Sequence, residues 1–146
     1  MNKYQYLICP FVTLIICQLI KFTFESIRDK KLHLGRLFNG TGGMPSSHAS
    51  FSSSVTMLIG YTEGFSSPLF AVALIFTFIT AYDAMGLRYE SGLQAEAINI
   101  LFDELLKIKE RHKFKKLKEK LGHKPLEVMA GLLLGTIVSY IFTLVV

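Results

Sequence analysis

Four stretches of this chain carry no charged side chain: Tyr4 to Ile20, Ala49 to Thr62, Gly64 to Tyr82 and Val128 to Val146. A helix needs ~20 predominantly apolar residues to cross a bilayer, and inside the bilayer its backbone polar groups must be satisfied internally. Three of the runs approach that length. The run from Ala49 is short, and it spans if its helix begins in the Pro45-Ser-Ser-His turn and holds that polar end in a protein-lined cavity. The alternative is a re-entrant segment. Hydrophobic residues make up 51% and charged residues 18% of the 146, too apolar a balance for an ordinary small soluble domain and too short a chain for two domains. The predicted fold is all-α: a polytopic membrane helical bundle of about four transmembrane helices with a cytoplasmic amphipathic helical loop, forming one domain over residues 1–146.

The basic residues predict the topology. Lys3 precedes the first run; Lys21, Arg28, Lys30, Lys31 and Arg36 lie between the first and second; the remaining ten, from Arg88 to Lys124, lie between the third and fourth. With four crossings both basic loops fall on one side, and the positive-inside rule makes that side cytoplasmic. The expected location is the plasma (inner) membrane, with both termini facing outward. Cys9 and Cys17, eight residues apart in the first run, are too distant along a helix to pair and read as small buried hydrophobes. The first run lacks a small-x-small cleavage site before Lys21, so a retained helix is expected rather than a signal peptide.

In the second loop, Ala97, Ile98, Leu101, Leu105 and Ile108 recur at helical spacing and predict an amphipathic helix. A basic piece follows, Lys113 to Leu121, in which Phe114, Leu117 and Leu121 share a face. Its lysines suit either anionic head groups or an ordinary solvated surface. Nothing near them offers a stacking platform or reading motif, so nucleic acid is excluded as a partner. His33 and His112 stand among charged loop residues and read as surface groups.

Three polar stretches remain, each beside an apolar run. In Thr41-Gly-Gly-Met-Pro-Ser-Ser-His48, a helix starting at Pro45 would present first-turn amides without internal partners, and Gly43 would let the backbone approach a ligand. Such an end binds anions; Ser46 and Ser47 add donors, and His48 can move a proton near neutral pH. A capped membrane helix with an interfacial histidine explains the same residues without a ligand. In Leu121-Gly-His-Lys-Pro-Leu-Glu127, His123 and Glu127 stand four apart, so the carboxylate can hold one ring nitrogen and leave the other nucleophilic. Gly131 and Gly135 continue that face and suit helix packing through small residues. In Tyr82-Asp-Ala-Met-Gly-Leu-Arg88, Asp83 and Arg88 either pair with each other or divide a phosphate clamp and an orienting carboxylate between them. Gln94 and Asn99 follow and are candidates to line the same cavity.

Taken in order, "GGMPSSH", "YDAMGLR" and "LGHKPLEVMAGLLLG", with apolar runs between them, resemble the divergent branch of the type 2 phosphatidic acid phosphatase superfamily, related more distantly to the vanadium haloperoxidases. The resemblance covers nearly the whole chain. It implies a helical membrane phosphatase that forms a phosphohistidine and needs no metal or cofactor. Pro45, Ser46, Ser47 and His48 match the Pro-Ser-Gly-His motif of phosphate-binding groups and general acid, with serine for glycine; His123 and Glu127 match His-x-x-x-Asp, with glutamate for aspartate. The superfamily's lysine and Arg-Pro motif has no clean match, Lys30 and Arg36 being misspaced, and the Ser-Arg pair before the nucleophile is absent. Arg36 and Arg88 are the candidates to replace those cations.

The leading reading is an integral-membrane phosphatase acting on a phosphomonoester or pyrophosphate, of a lipid because the site lies at a membrane face. His123 would attack phosphorus, His48 protonate the leaving oxygen, and Gly43, Ser46, Ser47, Arg36 and Arg88 bind the phosphoryl group. The competing readings are a non-catalytic lipid-phosphate binder, carrier or scaffold subunit, and metal-assisted hydrolysis through Asp83 and Glu127. Expected partners are membrane lipids and a phosphorylated lipid substrate, with homo-oligomerisation left open.

Overall fold

A computed structural model describes residues 4–29, 43–106, 117 and 122–145. It is an all-α bundle. The helices are α1 (Gln5–Asp29), α2 (Ser47–Glu63), α3 (Pro68–Met85), α4 (Leu87–Leu106) and α5 (Pro125–Val145). Among the described residues three stretches are long and apolar enough to cross a membrane: Gln5–Ile27, Pro68–Asp103, which runs from α3 into α4, and Pro125–Val145.

The centre of the bundle is α2, the most polar of the helices expected to span. It packs against α1, α3 and, most extensively, α5. A helix rich in serine can sit there because its interior hydroxyls return hydrogen bonds to its own backbone. Ser50 donates to the Ser46 carbonyl at 2.7 Å, Ser52 to His48 at 2.9 Å, Ser54 to Phe51 at 2.8 Å and Thr56 to Ser52 at 3.0 Å. With those groups satisfied, small side chains let neighbouring backbones come close, which drives association where lipid removes the hydrophobic incentive. Gly131 and Gly135 of α5 complete the contact: a Cβ at Gly131 would lie 2.5 Å from the Ser46 carbonyl oxygen, and one at Gly135 would collide with Ser53 Oγ. Packing through small residues is thus how these glycines are used.

Side-chain pairs set the directions. Tyr6, near the start of α1, donates to Glu63 Oε1 at 2.6 Å and lies 2.9 Å from Thr62 Oγ1, at the end of α2. At the other end Cys17 Sγ donates to the Pro45 carbonyl at 3.5 Å and Lys21 Nζ to Ser47 Oγ at 3.5 Å. So α2 runs antiparallel to α1 from the Lys21 level to the Tyr6 level, about 22 Å at 1.5 Å per residue. Contact between Thr56 and Thr77, 2.8 Å apart, ties α2 to α3, while Tyr61 against Tyr140, ring centroids 5.7 Å apart, shows α5 lying parallel to α2. The ends of α1 and α3 and the starts of α2 and α5 therefore gather at one end of the bundle. Both basic connections leave from that end.

The outward faces of α1, α3 and α5 are apolar and exposed, Leu7, Phe11, Ile15, Val72, Ile75, Phe76, Met129 and Leu133 among them, as a lipid-facing surface requires. The amphipathic helix forms as α4, but its apolar face turns outward. Ile98 and Leu101 are exposed, while Gly92, Ala95 and Asn99 are buried. Small and polar residues again take the inner side, here because Asn99 pairs with both backbone groups of Leu117, each at 2.9 Å. Ile108 and, apart from Leu117, the Lys113–Leu121 piece lie outside the described residues.

Candidate functional site

The gathered end of the bundle brings two of the polar stretches together. Gly43, at φ 86°, occupies a backbone region that favours glycine. Helix α2 does not begin at Pro45 as the sequence suggested: Ser46 is the N-cap, its Oγ accepting from the Ala49 amide at 3.4 Å, and Pro45 lies just outside. An extended residue with a short hydroxyl is the better cap, so the helix starts two residues later, at Ser47. Ser46 also donates its amide to the Glu127 carbonyl at 2.8 Å, which fixes the start of α2 against the start of α5. The Ser46 amide and the acceptor side of its hydroxyl thus serve the frame, and the hydroxyl keeps its proton to donate.

Pro125 opens α5 as predicted, and Gly122, at φ 86°, turns the chain into it. The His123 amide donates to the Ala84 carbonyl at 2.9 Å, anchoring the histidine to the end of α3. Its Nδ1 lies 3.1 Å from Glu127 Oε2. A carboxylate only accepts, so in this pair Nδ1 carries the hydrogen. Glu127 is itself oriented by the Lys124 amide at 3.2 Å. His123 is 3% exposed. Burial pushes its pKa below the usual histidine value; the hydrogen bond it donates to Glu127 opposes that, the field of Lys21 adds to it, and the charge of Glu127 and a backbone hydrogen bond at Gly43 work against it. The ring is therefore neutral at neutral pH, the state a nucleophile needs.

His48 stands in the first turn of α2, its ring centroid 6.0 Å from that of His123 at an interplanar angle of 64°. Lys21, 1% exposed, reaches Ser47 Oγ beside them. A cleft of about 430 Å³ opens next to the pair, lined by Phe24, Glu25, Ile27, Gly43, Met44 and Glu127.

The other candidates are more dispersed. Asp83 is half-buried one residue before the Ala84 carbonyl that holds His123. Gln94 is exposed, and Asn99 is bound to the backbone of Leu117. Arg88 lies in the first turn of α4, and Arg36 is outside the described residues. Among the described residues no three His, Cys, Asp or Glu side chains gather as ligands for a metal ion.

The family model described as "Divergent PAP2 family" matches residues 2–138. The chain belongs to this divergent PAP2 family. It is also 38% identical over 150 aligned positions to the uncharacterized membrane protein YuiD of Bacillus subtilis (strain 168), covering 93% of this chain and 94% of that protein. No solved structure matches it.

Within this divergent PAP2 chain, the residue that sequence reasoning passed over is Lys21. It was counted only as a loop charge, yet α1 continues two turns past it, to Asp29, and buries it four residues after Cys17 on the same face. The available signal was a lysine with apolar neighbours on both sides at the end of an uncharged run, a placement that is costly unless the charge has a partner.

Proposed function

We propose that the protein is an integral-membrane phosphatase that hydrolyses a phosphomonoester or pyrophosphate of a lipid through a phosphohistidine. The observation that carries this reading is the buried His123 with Glu127 on Nδ1 and the His48 ring 6.0 Å away. Nε2 of His123 attacks phosphorus as the bond to the leaving oxygen breaks, and protonated His48 gives that oxygen its proton. Neutral His48 then takes a proton from water, whose oxygen attacks the phosphorus and releases His123 and inorganic phosphate. Lys21, Ser47 and the first amides of α2 balance the phosphoryl charge; Arg36 and Arg88 remain candidates for the same task.

In this reading the site faces the cytoplasm across the inner membrane, because both basic connections leave from its end of the bundle. A cysteine at Ser66 that reacts only from the cytoplasmic side would reverse that orientation. The functional test is phosphate release by detergent-purified protein across lipid phosphates and pyrophosphates, with His123→Ala and His48→Ala beside the wild type. Release abolished by both substitutions is expected. Binding of lipid phosphate without release from any substrate, undiminished in His123→Ala, would replace the phosphatase by a binder.

A further inference from the structure

The helix that follows His123 holds it from one side. Glu127 orients the ring, and the His123 amide donates to the Ala84 carbonyl at 2.9 Å. From the other side the chain arrives through Gly122, whose φ of 86° lies in the region that favours glycine. Leu117, the nearest described residue before Gly122, is tied down by a different element. Asn99 of α4 accepts from the Leu117 amide at 2.9 Å and donates from Nδ2 to the Leu117 carbonyl at 2.9 Å.

Two bonds to one residue fix its orientation as well as its place, as a hydrogen-bonded pair does between strands. Asn99 is 3% exposed, so a broken bond would leave a buried polar group unsatisfied. It shares its face of α4 with Gly92 and Ala95, both buried and small enough to let a neighbouring backbone come close. The apolar residues beside it, Ile98, Ile100 and Leu101, are exposed. The inner face of α4 is therefore the one that makes the tie, not the one with the most apolar surface.

Both attachments belong to one bracket. Ala84 lies at the end of α3 and Asn99 in α4, and only Gly86 separates the two helices. The Gly86 amide donates to the Tyr82 carbonyl at 2.8 Å and its carbonyl accepts from the Glu90 amide at 3.0 Å, so hydrogen bonding continues across the joint. Leu117 stands six residues before His123, a reach of about 20 Å at most. The tie at Asn99 thus limits the directions from which the chain can approach the histidine. We infer that Asn99 is a positioning residue: by holding both backbone groups of Leu117 it fixes that approach and keeps the His123 ring in its buried place beside His48. The inference rests on the phosphatase reading for the role of His123 as nucleophile.

The test is Asn99→Leu, which keeps the size of the side chain and removes both bonds, in detergent-purified full-length protein. Reaction of His123 with diethyl pyrocarbonate, mapped by mass spectrometry, is expected to become several-fold faster. The NMR titration midpoint of the ring should rise toward ~6.5 as burial is relieved. On a lipid phosphate that the wild type hydrolyses, kcat should fall ~10–10²-fold, the scale of a ~1 Å misplacement, with KM nearly unchanged. Asn99→Asp should be rescued by acid, because its protonated carboxyl again offers a donor and an acceptor; its turnover relative to wild type should rise as the pH falls. Thr56→Val is the control for stability. It removes the 2.8 Å contact between α2 and α3, about 12 Å along α2 from His48, and should lower the Tm while leaving His123 reactivity and kcat as they are. Unchanged reactivity and midpoint of His123 in Asn99→Leu, a more reactive ring with wild-type kcat, or a loss of kcat that Thr56→Val shares would each overturn the positioning role. Faster reaction of His123 in Asn99→Leu, with no phosphate release by the wild type from any substrate, would sustain the placement and end the phosphatase reading.

Discussion

Replacing Gly131 by alanine tests whether the close approach of α2 and α5 is what assembles the site. The new Cβ would lie 2.5 Å from the Ser46 carbonyl oxygen and 2.9 Å from Ala49 Cβ. The nearer neighbour is backbone and cannot rotate away, so α5 must retreat by about 1 Å to restore ordinary contact. Overpacking of this kind costs ~1–3 kcal/mol. The same retreat stretches the 2.8 Å bond from the Ser46 amide to the Glu127 carbonyl beyond hydrogen-bonding range, and a buried unsatisfied amide costs ~1–3 kcal/mol. Alanine's helix preference returns about 1 kcal/mol. The net loss centres on about 3 kcal/mol, which lowers the Tm by roughly 6–12 °C for a chain of this size.

Because Glu127 moves with α5, the geometry at His123 changes as well, and a ~1 Å misplacement can cost on the order of 10²-fold in rate. Thermal unfolding in detergent and phosphate release well below the transition measure the two effects separately. Gly135→Ala is the control. Its Cβ meets Ser53 Oγ and lies 2.5 Å from the Ser50 carbonyl oxygen, but about 12 Å along the helix from Glu127. It should destabilise comparably and reduce the rate less. A Gly131→Ala protein with wild-type Tm and turnover would refute the argument that this contact frames the site.

Three further outcomes follow from the electrostatics. Burial lowers the pKa of His123 in the folded protein, so between that value and the unfolded ~6.5 the unfolded chain binds more protons. This group's contribution to stability is then complete above about pH 6.5 and is lost as the pH falls through the folded pKa, as denaturant titrations across that window would report. Glu127→Gln removes the carboxylate that raises the pKa; the NMR titration midpoint of His123 should move further down while kcat falls ~10²–10⁴-fold, and a midpoint moving up would contradict the assigned roles. Lys21→Met keeps the length and apolar contacts of the stem but deletes the buried charge. It should leave the fold intact and raise KM or lower kcat, or both, by ~10–10²-fold, about 1.4–2.7 kcal/mol of phosphoryl stabilisation; unchanged phosphate release would remove Lys21 from the site.

The membrane class, the helical spans and the pairing of His123 with Glu127 were legible in the sequence because each depends on short-range physics. Charge-free length decides whether a segment can enter lipid, and a four-residue interval puts two side chains on one helix face whatever surrounds them. The glycines at 131 and 135 were readable for the same reason. What the tertiary structure decided is everything that depends on which elements meet. Ser46 became a cap and a strut once Glu127 supplied a carbonyl opposite its amide. Asn99, polar enough to suggest a cavity lining, found its partners in the backbone of Leu117, and the apolar face of α4 turned outward. Lys21 became part of the site only because α1 runs antiparallel to α2, which brings the end of one beside the start of the other. An interval along the chain fixes neighbours on one helix; the approach of two helices is set by the small residues between them, and the site here is built across that approach.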